Sequence, residues 1–412
     1  MVSAKRKEKN RKNHKANVRE KKQQAWEKFP DSFLAMCHVT PPFQEPEDIE
    51  EGSREETNSM LFAKAPSYSH FNPSDIHRPY TFTDLYSIHA KLGRTVMKGW
   101  HKGGCIVAMK KLHVAPDHVL QLGEVRALSA INHENVVKLF SLRLTASVQY
   151  LVLEYCHFDL DVLIHHQNVK IDAEHIKGIA VALLSGLKAI HEKNVAHRNL
   201  TPGHVLITKN GILKITDFAL AVCTSDGTHG GPLSQMANIR YLAPEYLLGC
   251  TEIRASADLW NVGVIIGELF LRSSLFDGEN ERDQIVQVLN LVGELEGPFY
   301  KTNETYQGIK NVWRDDKNGT FLKVFEWRLC NPLLHDSQGV RFVRNMMEPN
   351  YNRRCTVDEA LEHEWLKSGV RGDLKVLLEV FEKPCHSRIF RDHNDDGIED
   401  NNDNGIEDNN DD

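Results

Sequence analysis

No apolar stretch in this chain is long enough to cross a bilayer. The longest, Trp260 to Leu271, is interrupted by Asn261 and Glu268 and falls short of the ~20 residues a spanning helix needs. The first residues are basic and lack an apolar signal core, which argues against a secretory leader. The eight cysteines, spread from Cys37 to Cys385, include no C-x-x-C pair and no zinc-ligand spacing. That distribution argues against a disulfide framework or a structural metal site and for a reducing compartment. These absences give the expectation of an intracellular protein, in the nucleus or cytoplasm, not embedded in a membrane.

What is present is an ordinary globular composition, 41% hydrophobic and 26% charged over 412 residues, enough to bury a large core. The net charge of -7 conceals two opposed ends. Residues 1 to 29 carry eleven Lys/Arg against three Asp/Glu, whereas residues 391 to 412 carry ten Asp/Glu against one Arg. The basic arm, residues 1–37, reads either as a solvated disordered tail or as a nuclear-import or nucleic-acid contact. Residues 38–83, rich in Pro, Ser and acids, read as a linker. Residues 369–412 read as a tail whose acidic end repeats DDGIEDNN as DNGIEDNN, with too few apolar residues for a core. Asn303 and Asn318 match glycosylation sequons but are ordinary surface amides in an intracellular protein.

Between residues 84 and 368 the pattern is globular. IVAMKKL (106–112) and YLVLEY (150–155) read as strands, and LGEVRALSAI places Glu124, Leu128 and Ile131 on one helix face. After residue 155 the apolar spacing turns helical in residues 176–194, 256–271 and 283–293. The expected class is α+β: a small strand-rich lobe with one helix (84–155), then a larger helical lobe (156–368).

Phosphoryl transfer needs a cation on the phosphates, carboxylates on magnesium and a group that orients the acceptor hydroxyl. Lys110 on a strand, Glu124 on a helix and Asp217 after a strand supply these types in order. VAMKK, HRNLTPGHVLI, TDFALA and YLAPE occur in the order of the motifs V-A-I-K, H-R-D-L-x-x-x-N, D-F-G and A-P-E. The chain therefore resembles a eukaryotic protein kinase, most like the cyclin-dependent and MAP kinase (CMGC) branch through LVLEYCHFDLDVLI, APEYLLG and SLFDGENERDQIVQVLNLVG. The resemblance implies a bilobal fold with Leu153 as gatekeeper and ATP held by Lys110, Glu124, Ala108, Leu206, the backbone of Glu154 and Cys156, and Asp159 at the ribose. It also implies magnesium on Asp217, and a structural pair between Arg354 and Glu245.

The chain departs from that pattern in the catalytic machinery. Asn199 stands where the proton-accepting aspartate belongs, and an amide cannot take a proton at pH 7. Thr201 replaces the loop lysine. His204, at the second magnesium position, is a poor match for a cation that prefers oxygen. The glycine-rich loop keeps Gly93 but places Thr95 and Lys98 at or near the other two glycines, so Lys98 or Lys102 would have to compensate on the phosphates. Ala219 closes D-F-G, where positive φ is less accessible than to glycine. Of the basic residues that grip a phosphorylated activation segment Arg198 remains, Gly123 and Val222 taking the other two places. Thr224, Ser225, Thr228 and Ser234 are candidate phosphate acceptors. Leu242 replaces the arginine of YRAPE, and the helix around Glu124 lacks the cyclin-docking sequence.

The expectation is a pseudokinase, with ATP and Mg2+ as its ligands if any, acting through protein partners. The alternative is a weak but active Ser/Thr kinase that orients its substrate with Asn199. A third reading makes the basic arm a nucleic-acid contact and the kinase fold a docking body.

Overall fold

The computed structural model describes residues 85–112, 119–144, 149–166, 168–224, 233–316 and 337–382. Alternating apolar and polar residues build a five-stranded antiparallel sheet from β1 (Tyr86–Lys91), β2 (Val96–His101), β3 (Cys105–Leu112), β4 (Leu139–Leu144) and β5 (Gln149–Glu154), in the order β1-β2-β3-β5-β4. The pleat sorts the side chains. On one face Val107, Met109 and Val152 form a small core with Tyr86. On the other, Ala108 and Leu153, which pair across β3 and β5, join the core of the helical lobe. Lys110, two residues beyond Ala108, lies on that same inward face. Helix α1 (Val119–Ala130) connects β3 to β4.

The second lobe is helical: α2 (Leu160–His165), α3 (Ala173–His191), α4 (Pro244–Leu247), α5 (Ser256–Leu271), α6 (Glu281–Val292) and further helices up to Leu374–Glu382. Asp159 and Asp172 start α2 and α3 as N-caps, accepting from Val162 N at 2.8 Å and His175 N at 3.0 Å. Helix α5 is apolar on nearly every side and runs through the core with Trp260 and Phe270 buried. It ends at Arg272, whose φ of 58° closes the helix in left-handed conformation. The Arg272 guanidinium then binds the carbonyls of Leu163, Ile164, His166 and Val169, locking the end of α2 to the end of α5.

Short strand pairs lie between the lobes. β6 (Phe158–Asp159), β8 (Val205–Ile207) and β9 (Leu213–Ile215) form one small sheet, while β7 (Val195–Ala196) pairs with β10 (Val222–Cys223). Val137 N binds Ile215 O at 2.9 Å, tying the chain before β4 to this lower layer. The loops 197–204 and 216–221 are suspended between these anchors.

The architecture is the expected α+β bilobal one. At the start of the segment read as a tail, Leu374, Leu377 and Leu378 sit at helical spacing and are buried, so residues 374–382 form a helix packed on the lobe. The basic arm, the linker, the acidic end, Ser225 and Thr228 lie outside the described residues.

Candidate active site

The inward face of β3 carries Lys110 into the space between the lobes. Its Nζ lies 2.8 and 3.0 Å from the two carboxylate oxygens of Glu124 and 2.5 Å from Oδ1 of Asp217. Burial opposes the lysine's charge, but Glu124 and Asp217 outweigh it and raise its pKa. Burial likewise opposes the charge on Asp217, yet Lys110 and then His204 hold its carboxyl well below the usual carboxylate range. Three residues far apart in sequence thus make one charged cluster across the lobes.

The loop beneath is held by a buried anion. Asp258, on α5, accepts from His197 N at 2.9 Å and Arg198 N at 2.8 Å, and its Oδ2 lies 2.9 Å from His191 Nε2. Against burial, the His191 contact keeps Asp258 below its ordinary pKa. Burial pushes His197 down to about 4, so its neutral ring donates from Nε2 to Thr216 O (3.0 Å) and accepts Asn199 N–H at Nδ1 (3.3 Å). The same ring meets buried Phe218 edge-on, 4.7 Å between centroids. Sequence reading missed Asp258. The available signal was an aspartate in the first turn of an otherwise apolar helix, where burial demands partners.

Arg198 and Asp217 both adopt left-handed backbone, φ 66° and 61°. Such residues cost about 1–3 kcal/mol each and concentrate at functional sites. Positive φ therefore falls on Asp217, whose short polar side chain tolerates it, and not on Ala219, which is absent from the positive-φ residues among those described. The expected strain at Ala219 does not arise.

Asn199 donates from Nδ2 to Asp217 Oδ2 at 3.3 Å. His204 has Nε2 3.1 Å from that same oxygen and Nδ1 2.8 Å from the Asn199 carbonyl. Thr201 is buried, and its carbonyl accepts from His204 N. Asp217 offers the hard, ionised oxygen that magnesium prefers and suits one ion, shared with substrate phosphates as is usual for this metal. His204 does not suit a second. No group of three or more His, Cys, Asp or Glu among the described residues forms a self-sufficient metal cage.

Of the residues expected around a base, Ala108 pairs with Leu153 across β3 and β5, while Leu206 lies on β8 opposite Asp159. The Glu154 amide binds Lys138 O at 2.9 Å and its carboxylate meets Lys214 Nζ at 2.8 Å. Asp159, expected at a ribose, caps α2 with one oxygen. Cys156 is buried, and burial pushes its thiol up to about 12. The β1–β2 turn is tight: Leu92 N and Gly93 N both bind Val96 O, at 2.8 and 3.1 Å. Neither suggested lysine reaches toward phosphate. Lys98 pairs with Ala108 across β2 and β3 and sets its Nζ 4.9 Å above the Tyr155 ring, and Lys102 lies exposed at the far end of β2.

In the activation segment, Glu245 and Arg354 form a fully buried bidentate pair, 2.9 and 3.1 Å. A Cβ on Gly123 would stand 3.1 Å from Ala221 O, so α1 approaches this segment closely because the side chain is missing. Val222 pairs with Ala196 in β10, Leu242 is buried, Thr224 donates to Asn194 O, and Ser234 lies in a short 3-10 turn.

A lysine held by a helix glutamate and facing a metal-type aspartate across two lobes defines a phosphoryl-transfer class of cleft. The chain belongs to the protein kinase domain family, which it matches over residues 86–366. It is 30% identical over 269 residues to the Serine/threonine-protein kinase crk1 of Schizosaccharomyces pombe, covering 64% of this chain and 77% of that protein. It is 29% identical over 314 residues to Cyclin-dependent kinase 9 of Bos taurus, covering 71% of this chain and 83% of that protein. These relatives place it with the cyclin-dependent type of kinase. In fold it is similar to the crystal structure of the yeast RNA Pol II CTD kinase CTDK-1 complex, with TM-score 0.62 at 24% identity, covering 70% of this chain and 95% of that one. No helix among the described residues is long and apolar enough to cross a membrane.

Proposed function

We propose that this chain is a slow Ser/Thr protein kinase of the cyclin-dependent type, binding ATP with one magnesium ion between its lobes. The observation that carries the reading is the Lys110–Glu124–Asp217 cluster, assembled at 2.5 to 3.0 Å with Phe218 buried against His197. In it Lys110 would bind phosphate oxygens, with Glu124 holding the amine in place. Asp217 would hold the metal, whose bound form neutralises charge on the transferring phosphate. Asn199 would orient the acceptor hydroxyl by hydrogen bonding without removing its proton. A general base contributes roughly 100- to 10,000-fold, so its absence slows transfer without abolishing it, since positioning and electrostatics carry most of this chemistry. The relatives named as kinases favour this reading over the pseudokinase one.

The pseudokinase reading retains one specific observation in its favour: Asn199 and His204 both lie on Asp217 Oδ2. A protein partner belongs to either reading, the relatives' names including cyclin dependence. The test is transfer of labelled γ-phosphate to Ser/Thr peptides and to the chain itself. Turnover lost in Lys110→Ala and in Asp217→Asn supports the kinase. ATP binding that needs Lys110, with no turnover at high enzyme concentration, leaves the pseudokinase.

A further inference from the structure

This inference rests on the nucleotide-binding reading above and concerns how many metal ions the site takes. Where a kinase holds two, the second is shared between the aspartate that follows β9 and a carboxamide oxygen from the catalytic loop. Here His204 stands at the carboxamide's place. An imidazole ligates a metal only through the lone pair of a free ring nitrogen, and both nitrogens of His204 are turned to the chain's own oxygens. Nδ1 lies 2.8 Å from the Asn199 carbonyl and Nε2 3.1 Å from Asp217 Oδ2. Both oxygens are acceptors: a neutral ring donates to one of them and turns its lone pair to the other, and that nitrogen is a donor which magnesium passes over for oxygen.

The backbone that carries the ring is anchored. Its residue closes the 3-10 turn Pro202–His204, its amide binds Thr201 O at 3.0 Å, and its carbonyl accepts from Thr216 N at 3.0 Å. The Asp217 carboxylate is divided to match: Oδ1 faces Lys110, and Oδ2 faces His204 and the Asn199 amide. The oxygen that a second ion would share is thus bracketed by an imidazole and an amide N–H. Magnesium asks instead for oxygen donors in near-octahedral array and gives up its water reluctantly.

We propose that the His204 ring fills the second-metal position, lying between the Asn199 carbonyl and Asp217, so that the nucleotide-loaded cleft holds one divalent ion and not two. The ring would pack the catalytic loop against the segment after β9. Affinity for nucleotide should then saturate at one equivalent of metal.

The experiment counts ions directly. The full chain, in excess over a non-hydrolysable ATP analogue, is titrated with Mn2+, and free Mn2+ is read by its electron paramagnetic resonance. One ion per bound nucleotide is expected for the natural chain and two for His204→Asn, with His204→Gln as a second oxygen-bearing variant should the first not fold. Two ions per nucleotide in the natural chain would overturn the proposal, as would a count of one in both well-folded variants. Absence of any bound nucleotide would remove the nucleotide-binding reading itself, and this proposal with it, a result distinct from a count of two.

Discussion

Asn199→Asp restores the residue type that usually accepts the substrate proton, and the structure predicts that it does so poorly on its own. A positioned base is worth roughly 100- to 10,000-fold, or about 3 to 5 kcal/mol of barrier at 1.36 per decade. The new carboxylate, however, takes the place of an amide nitrogen 3.3 Å from Asp217 Oδ2. At that distance two unit charges repel by about 5 kcal/mol at an effective dielectric of 20. Lys110, on the other Asp217 oxygen, offsets part of this. Gain and penalty are therefore of the same size, and the single variant should speed peptide phosphorylation by less than about 100-fold. It should also lower the melting temperature measured without metal. Adding Thr201→Lys supplies a cation beside the new carboxylate, and the double variant should exceed the product of the two single effects. A single variant reaching the full 10,000-fold would refute the repulsion argument. A double variant no faster than the natural chain would refute the role given to position 199.

Three further outcomes follow from the same geometry. Arg354→Met leaves Glu245 buried without its cation and should cost about 3–5 kcal/mol, while Arg354→Met with Glu245→Leu should recover most of it; urea midpoints measure both, and a single-variant cost below about 1 kcal/mol would contradict the burial seen here. Burial pushes the Glu268 carboxyl up to about 7. A raised acid stabilises the fold fully below its unfolded pKa and loses that contribution as pH rises through the folded one, so stability should fall by about 3 kcal/mol from pH 4.5 past pH 7. Glu268→Gln, which can still pair with Tyr241 and Leu275 N, should flatten that fall in thermal melts; an unchanged slope refutes the assignment. Lys98→Leu removes a cation held over Tyr155 by about 0.5–2 kcal/mol, a contact that a bound base would displace, and should tighten ATP about twofold to thirtyfold by calorimetry. Unchanged or weaker binding would show that the base never displaces that contact.

Much of the fold was legible along the chain because its information is local. The strands at 106–112 and 150–155 and the helices at 176–194, 256–271 and 283–293 follow from apolar spacing, and each appears within a few residues of its expected bounds. Helix 374–382 was hidden by its neighbours: its short Leu374, Leu377, Leu378 stripe sits beside an acidic repeat that dominates the composition. The ordered motifs also announced the family, and residue identity alone fixes that position 199 holds no proton acceptor and position 204 no oxygen ligand.

Which partners those side chains take was decided by tertiary structure. Along the chain Lys98 reads as a candidate for the phosphates, but the β2–β3 register places it opposite Ala108 and its Nζ lies over the Tyr155 ring. Asp159 became a helix cap, and left-handed backbone settled on Asp217 instead of Ala219. Asp258 looked like one more charge in a helix until burial brought two loop amides onto it. The sequence by itself determined the chemical types available and the elements that carry them, because side-chain identity and 2- or 3.6-residue periodicity act over short separations. Only the packed lobes decided that Lys110, Glu124, Asp217, Asn199 and His204 share one few-ångström cluster. Hydrogen bonds and charge pairing depend on distance in space, and that distance is set by the core and by the loops it holds.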